Sequence, residues 1–318
     1  MKILITGGAG FIGSHAAKVL HERGDEVLIL DNFSRILYPA KLKHARIKDF
    51  LESKVEVVEG DINDVNLLES IFKKFHFDAV MHLAAHANPR VSLKEALAYT
   101  RVNVDGTVAV LEAAAKYAVK QVVFAGSSSV YNDAQTPFRE DAYPLRPKSP
   151  YGASKAAAED YCAMWHDLYG IPITVLRFFS VYGQWGRPDM APMIFAEKVL
   201  TGEELSMNRE ERKRDVTHIS DVVRALVKAV DTNLGFEVLN TGRGEPVSLR
   251  ELVAAIEQAA GKEARIAEVD SPAGEMKVTY ADTNKAKQLL GWEPVVSLKE
   301  GAEDLGAWMR DWYLPTLR

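Results

Sequence analysis

Tyr151 and Lys155 stand four positions apart in Tyr151-Gly152-Ala153-Ser154-Lys155, directly after Pro150, at the start of a stretch patterned as a helix to about residue 169. Residues four apart share a helix face, so the phenol and the ammonium project together. A free tyrosine, with a pKa near ~10, is a poor base at neutral pH. A neighbouring positive charge favours the phenolate and brings it toward working range. Gly126-Ser127-Ser128-Ser129-Val130-Tyr131 supplies a row of hydroxyls, of which Ser127 can hydrogen-bond a substrate oxygen. Taken alone, the Tyr–Lys spacing also fits an amphipathic helix with a surface pair.

A second motif favours the chemical reading. In Thr6-Gly7-Gly8-Ala9-Gly10-Phe11-Ile12-Gly13, the residues Gly7, Gly10 and Gly13 follow a GxxGxxG spacing where an apolar strand gives way to a helix. Glycines there permit a tight turn, let backbone N–H groups approach a pyrophosphate, and allow close helix–sheet packing. The helix N-terminus adds about half a positive charge facing the phosphates. Asp31 follows about 20 residues later, where a carboxylate binds the ribose hydroxyls of NAD and repels the 2′-phosphate of NADP. The expected cofactor is therefore NAD. Asp61-Ile62 could bracket the adenine, although Asp61 could equally cap a helix.

These residues need a scaffold that brings them to one edge. Six short apolar runs, at 3–5, 27–30, 55–58, 79–83, 122–124 and 173–176, predict strands covered on both faces. Helical patterns alternate with them, the first over 14–23 and stopped by Gly24. Strand–helix alternation implies an α/β, Rossmann-like, doubly wound parallel sheet whose carboxyl edge binds ligands. After about residue 180 the texture changes. A loop rich in Gly, Pro and aromatics (181–189) precedes a helix at about 193–200, a charged stretch at 208–214, a helix at 221–231, a strand at 236–239 and a closing helix at 298–313. With no low-complexity linker, a smaller α/β substrate domain is expected to interweave with the sheet. The expected division is 1–180 plus about 214–241 for the cofactor, and about 181–213 plus 242–318 for the substrate.

Composition narrows the function classes. The 318 residues are 47% hydrophobic and 26% charged with a net charge of −5, and no basic cluster invites nucleic acid or a membrane surface. One cysteine, Cys162, excludes an internal disulfide and reads as a packed helix residue. The eight histidines lack zinc-ligand spacing, so no metal is expected, and His82 and His86 read as site lining. Met1 and Lys2 lead straight into a strand and no apolar run approaches the roughly 20 residues that span a bilayer. A cytoplasmic protein is the expectation.

TGGAGFIG, Asp31-Asn32, His82-Leu83-Ala84-Ala85, Asn103-Val104-Asp105-Gly106-Thr107, Ser127 to Tyr131, Tyr151 to Lys155 and Arg177-Phe178-Phe179-Ser180-Val181-Tyr182-Gly183 together resemble the extended short-chain dehydrogenase/reductases. Within them the chain is most similar to the nucleotide-sugar 4-epimerases, a resemblance extending to Thr279-Tyr280-Ala281-Asp282 and Leu290-Gly291-Trp292. It implies NAD retained through turnover and held by Gly7, Gly10, Phe11, Ile12, Gly13, Asp31, Asn32, Asp61, Ile62, Leu83, Ala84, Ala85, Asn103, Tyr151, Lys155 and Phe178. It also implies a UDP-sugar between the domains and a homodimer packed through helices at 97–118 and 151–169. Catalysis would rest on Ser127, Tyr151 and Lys155: the phenolate takes the sugar 4-OH proton, the 4-hydride leaves to NAD⁺ and returns to the other face of the turned 4-keto sugar.

Two related reactions begin identically. The family's 4,6-dehydratases carry Asp-Glu directly after the catalytic serine or threonine, and its UDP-glucuronate decarboxylases a glutamate in the same segment. Here those positions are Ser128 and Ser129, neither of which is a carboxylic acid. Tyr182-Gly183-Gln184-Trp185-Gly186-Arg187-Pro188-Asp189-Met190-Ala191 resembles the YGPWGRPDMA stretch of UDP-glucuronate 4-epimerases, with Gln184 for Pro. Arg187 would pair with the C5 carboxylate, helped by Ser128, Ser129 and Ser180, through charge-assisted bonds. Held near the plane of the ketone, that carboxylate resists loss as CO₂. Alternatively Arg187 ties its own loop through Asp189 or meets the diphosphate, which would leave UDP-glucose or UDP-N-acetylglucosamine as the substrate. A non-catalytic, NAD-binding interaction protein is a third reading, against which the intact Tyr151–Lys155 pair argues. Arg214-Asp215 resembles the family's diphosphate-binding pair, and Glu275 falls where the family usually places Asp on the uridine ribose. Asn132, where the family has Gly, is a further departure.

Overall fold

Seven strands, β1 (Lys2–Thr6), β2 (Glu26–Asp31), β3 (Glu56–Glu59), β4 (Ala79–His82), β5 (Gln121–Ser127), β6 (Ile173–Phe178) and β7 (Phe236–Thr241), form one sheet in the order β7-β6-β5-β4-β1-β2-β3. Every pairing is parallel, with Ile3 beside Val27 and Ala79, and Ser127 beside Phe178. The computed structural model describes residues 1–131, 134–270 and 276–317. The six strands expected from the apolar runs are present to within three residues at either end, and the run at 236–239 supplies the seventh.

Alternation along the strands divides the core in two. Ile3 and Ile5 point to one face, where they meet Ala16, Ala17 and Leu20 of the helix Phe11–Glu22 and Val222, Leu226 and Ala229 of the helix Ile219–Asp231. Leu4 points to the other, among Phe72 of the helix Val65–Phe75, Val110 of the helix Gly106–Lys116, and Ala158, Cys162 and Trp165 of the helix Pro150–Tyr169. Covering both faces is what makes the strands read as unbroken apolar runs. Cys162 is fully buried, as its packed reading requires.

The chain leaves this sheet after Phe178, returns for β7, and leaves again. Outside it, Lys213–His218 pairs in parallel with Ser180–Tyr182 and with Val278–Thr279, and antiparallel with Pro246–Ser248. A third core, with Trp185, Phe195, Leu205, Leu252, Ile256, Leu305 and Trp308, lies beneath that small sheet. The closing helix runs over Leu298–Trp308 and continues as a wider π-type turn, Met309–Tyr313, so the expected span is present with one change of pitch.

Candidate active site

One large cleft, of about 360 Å³, opens along the carboxyl edge of the sheet. At its floor, Gly7 adopts φ +71°, and a Cβ there would lie 2.7 Å from the backbone of Ala84. A Cβ on Gly13 would meet the Gly7 carbonyl oxygen at 2.5 Å, so the first turn of the helix packs directly on the strand end. The helix N-cap, Gly10, carries no side-chain cap, leaving the first N–H groups for an anion. These features fit a dinucleotide pyrophosphate.

Asp31, ending β2, accepts from Ala9 N–H at 3.1 Å, Phe33 N–H at 2.8 Å and Lys43 Nζ at 3.0 Å. Gly7, Gly10, Phe11, Ile12, Gly13, Asp31, Asn32, Ile62, Leu83, Ala84, Ala85 and Phe178 all line the cleft. Asp61 stands behind the wall, accepting from Asn32 Nδ2 at 2.8 Å, while the following helix is capped by Asp64. Asn103 is likewise buried outside the lining. Its amide accepts from His86 N–H and donates to His86 C=O and to Ser154 Oγ, stapling the segment after β4 to the helix Pro150–Tyr169.

His86 lines the cleft, as expected, but His82 does not. The His82 ring is fully buried between Thr6 Oγ1 at 2.7 Å and Thr107 Oγ1 at 3.0 Å, because it is the last residue of a strand enclosed on both faces. Burial lowers its pKa to about 3.

The reacting groups sit where two elements converge. Ser149 caps the helix by accepting from Gly152 N–H, Pro150 fits the first turn, and Tyr151 and Lys155 then face the cleft beside Ser127 at the end of β5. Burial pushes the Tyr151 phenol above its ordinary value; the hydrogen bond with Ser127 and the charge of Arg187 pull it down, and the Glu159 carboxylate pushes it up. Burial also lowers the Lys155 ammonium to about 8, its Nζ lying 4.5 Å from the Phe124 ring centroid. Among the protein's own groups desolvation thus outweighs the neighbouring charge that the spacing alone brings to mind. Behind the pair, Glu159 forms a buried ion pair with Arg177 at 2.7 Å, and Arg177 donates to Tyr131 Oη at 2.8 Å.

Ser128, Ser129, Ser180 and Arg187 line the same cleft. Arg187 donates from Nε to Asp189 Oδ1 and from Nη2 to Asp189 Oδ2, and Asn88 Nδ2 donates to the latter oxygen. Arg214 is not among the cleft-lining residues; its Nη1 donates to the Lys213 carbonyl at 2.9 Å. Its neighbour Asp215 is buried and accepts from the N–H groups of Arg243, Gly244 and Ala281. Glu275 and Asn132 lie outside the described residues. Sequence reasoning missed Lys43, Arg46, Tyr38 and Asn88. The basic run Lys41-Leu42-Lys43-His44-Ala45-Arg46 was the only signal for two of them, with nothing in its spacing to say what it faces.

The family model described as GDP-mannose 4,6 dehydratase matches residues 4–305. The chain belongs to that family. Within it, a UDP-glucuronate 4-epimerase of Thermodesulfobacterium geofontis is 36% identical over 97% of this chain and 96% of its own length. UDP-glucuronate 4-epimerase 4 of Arabidopsis thaliana is also 36% identical, over 98% of this chain and 76% of its own. Among solved structures, the UDP-glucuronic acid 4-epimerase of Bacillus cereus, in complex with UDP-glucuronic acid and NAD, aligns with a TM-score of 0.90 at 35% identity, covering 98% of this chain and 99% of that one. The UDP-glucose 4-epimerase of Thermotoga maritima, with UDP-glucose, aligns at 0.88 and 33%, with the same coverage. The resemblance to nucleotide-sugar epimerases and the Rossmann-like architecture are both borne out.

Proposed function

We propose that this chain is an NAD-dependent isomerase that interconverts UDP-glucuronate and UDP-galacturonate at C4. The observation that carries the substrate is Arg187, lining the same cleft as Ser128, Ser129, Ser180 and Tyr151, with its charge felt by the Tyr151 phenol. The family's dehydratase name does not transfer. Expulsion of a 6-hydroxyl needs an acid beside the catalytic hydroxyl, and Ser128 and Ser129 have none to offer.

NAD bound over the glycine turn supplies a hydride acceptor that becomes the donor of the same hydride. The protein's share is positional. Gly7, Gly10 and Gly13 admit the pyrophosphate, Asp31 with Lys43 receives the ribose, and Ile62, Leu83, Ala84, Ala85 and Phe178 flank the groove. Tyr151 takes the proton from the sugar O4 and returns it, Ser127 hydrogen-bonds that oxygen, and Lys155 supplies positive charge. Arg187, with the three serines, holds the carboxylate of the flat 4-keto sugar near the plane of its ketone, where loss of CO₂ is slow. Arg214 and Glu275 are proposed to serve the UDP end, Asp61 and Asn103 to support the cofactor.

The proposed division into 1–180 plus about 214–241, and about 181–213 plus 242–318, has the strand Lys213–His218 at its seam. A homodimer through 97–118 and 151–169 is supported by Leu97, Leu168 and Tyr169, which are 87%, 65% and 59% exposed on those segments. No helix among the described residues is long and apolar enough to cross a membrane. A cytoplasmic location, with no nucleic-acid partner, accords with that and with the balanced charge.

The deciding experiment incubates the purified protein with UDP-glucuronate and follows products by NMR. UDP-galacturonate should accumulate without net NADH; its absence sinks the proposal. UDP-glucose 4-epimerisation is the second reading, favoured by the carboxylate of Asp189 already pairing with Arg187. It predicts turnover of UDP-glucose and indifference to replacing Arg187 with a neutral residue.

A further inference from the structure

Arg46 is fully buried, yet among the described residues none of the hydrogen-bond partners of its guanidinium is a carboxylate. Nε donates to the Trp185 carbonyl at 3.1 Å, and Nη2 to the same carbonyl at 2.7 Å and to that of Gly186 at 3.3 Å. Nη1 donates to the Ala9 carbonyl at 3.3 Å and the Tyr38 hydroxyl at 2.9 Å. A cation enclosed among neutral dipoles is costlier than an apolar side chain of the same size, so filling space does not account for an arginine here. Its planar fork reaches two loops at once.

Those loops are the two halves of the site. Ala9 lies within the glycine turn, and its N–H donates to Asp31. Trp185 and Gly186 directly precede Arg187. Trp185 holds φ +59°, a left-handed conformation that a bulky residue rarely adopts, with its ring against Trp312 at 4.0 Å and Phe50 at 5.4 Å. The carbonyl of that strained residue is the one Arg46 grips twice.

We propose that Arg46 is a positioning residue that fixes the loop carrying Arg187 in register with the dinucleotide turn, so that the guanidinium of Arg187 stands at a set distance from the Tyr151 phenol. This rests on the reading of Arg187 as the group that meets the substrate carboxylate. Release of Arg46 leaves the glycine turn and the Tyr–Lys pair in place but lets Arg187 wander.

The test is a cycle of Arg46→Lys, Arg187→Ala and the double variant, with UDP-glucuronate as substrate and melting temperature and NAD content as controls. Arg46→Lys should raise KM by roughly tenfold, the scale set by one well-placed charged contact, with kcat changed by less than about threefold. In the Arg187→Ala background it should add nothing. An unchanged KM, or the same factor in both backgrounds, overturns the proposal. If Arg46→Lys does not fold, Arg46→Met, which fills similar space without a charge, takes its place in the cycle. Failure of both to fold makes Arg46 a residue of stability and also overturns it. Failure of the underlying reading shows elsewhere: Arg187→Ala alone then leaves KM for UDP-glucuronate at the wild-type value, and the proposal falls with it.

Discussion

Arg187 grips the Asp189 carboxylate with two bonds, Nε to Oδ1 at 3.0 Å and Nη2 to Oδ2 at 2.6 Å, while Asn88 steadies the same carboxylate at 2.9 Å. A carboxylate two residues away thus already fills the planar fork that a sugar acid would use. Substrate must compete with it. Asp189→Asn should therefore lower KM for UDP-glucuronate, by roughly threefold to tenfold, without improving a neutral hexose. Steady-state kinetics on both sugars decide this, and a raised KM for the acid would show that Asp189 orients Arg187 instead of opposing its new partner.

Lys155 has its pKa lowered by burial to about 8, so it carries its charge below that pH and loses it above. Because the ammonium favours the phenolate, kcat should fall as pH rises through about 8. Lys155→Ala should cost at least ~100-fold, as loss of a proton-transfer arrangement does, with an unchanged circular dichroism spectrum. An unfolded spectrum for that variant would assign Lys155 to the fold. Tyr151→Phe should abolish turnover of every nucleotide sugar.

Acid should destabilise the protein through two histidines. Burial lowers both His15 and His82 from 6.5 to about 3. Between those values the unfolded chain binds protons that the folded chain refuses, so stability is whole above about pH 6.5 and drains as pH falls toward 3. Each such group contributes a slope of up to about 1.4 kcal/mol per pH unit. Replacing His82 by Asn should flatten the dependence of denaturation midpoint on pH over that window. An equally steep dependence would contradict the assignment.

Cofactor choice depends on Asp31 and Lys43 together. The Lys43 ammonium sits 3.0 Å from Asp31 Oδ1, in a part of the cleft largely closed to solvent. Asp31→Ala removes the repulsion and leaves the ammonium to receive a 2′-phosphate. NAD affinity should drop and NADP affinity rise, measurable by titration of intrinsic fluorescence. An unchanged preference would dissociate Asp31 from ribose recognition.

What the sequence made legible was local. Gly7, Gly10, Gly13, Asp31, Ser127, Tyr151 and Lys155 each belong to a strand end or to the first two turns of a helix, where motif and geometry coincide, and all line one cleft. What stayed hidden is long-range. Arg46 meets Trp185 across 139 positions and Asn88 meets Asp189 across 101, through segments with no regular period to read. His82 was misplaced because the end of a strand looks the same in one dimension whether its last side chain turns to the cleft or to the core. The short strands Pro246–Ser248 and Val278–Thr279 escaped notice because their existence depends on a partner, Lys213–His218, and not on their own composition.

That partner strand has a practical consequence for anyone wishing to retune this protein. It is hydrogen-bonded to segments that precede and follow it by dozens of residues, and the polypeptide crosses between the two sheets on either side of it. No single cut yields an independent module to exchange with a relative of different taste. New sugar preference must be grafted as short cleft-lining stretches, such as residues 187–190, onto a framework left otherwise whole.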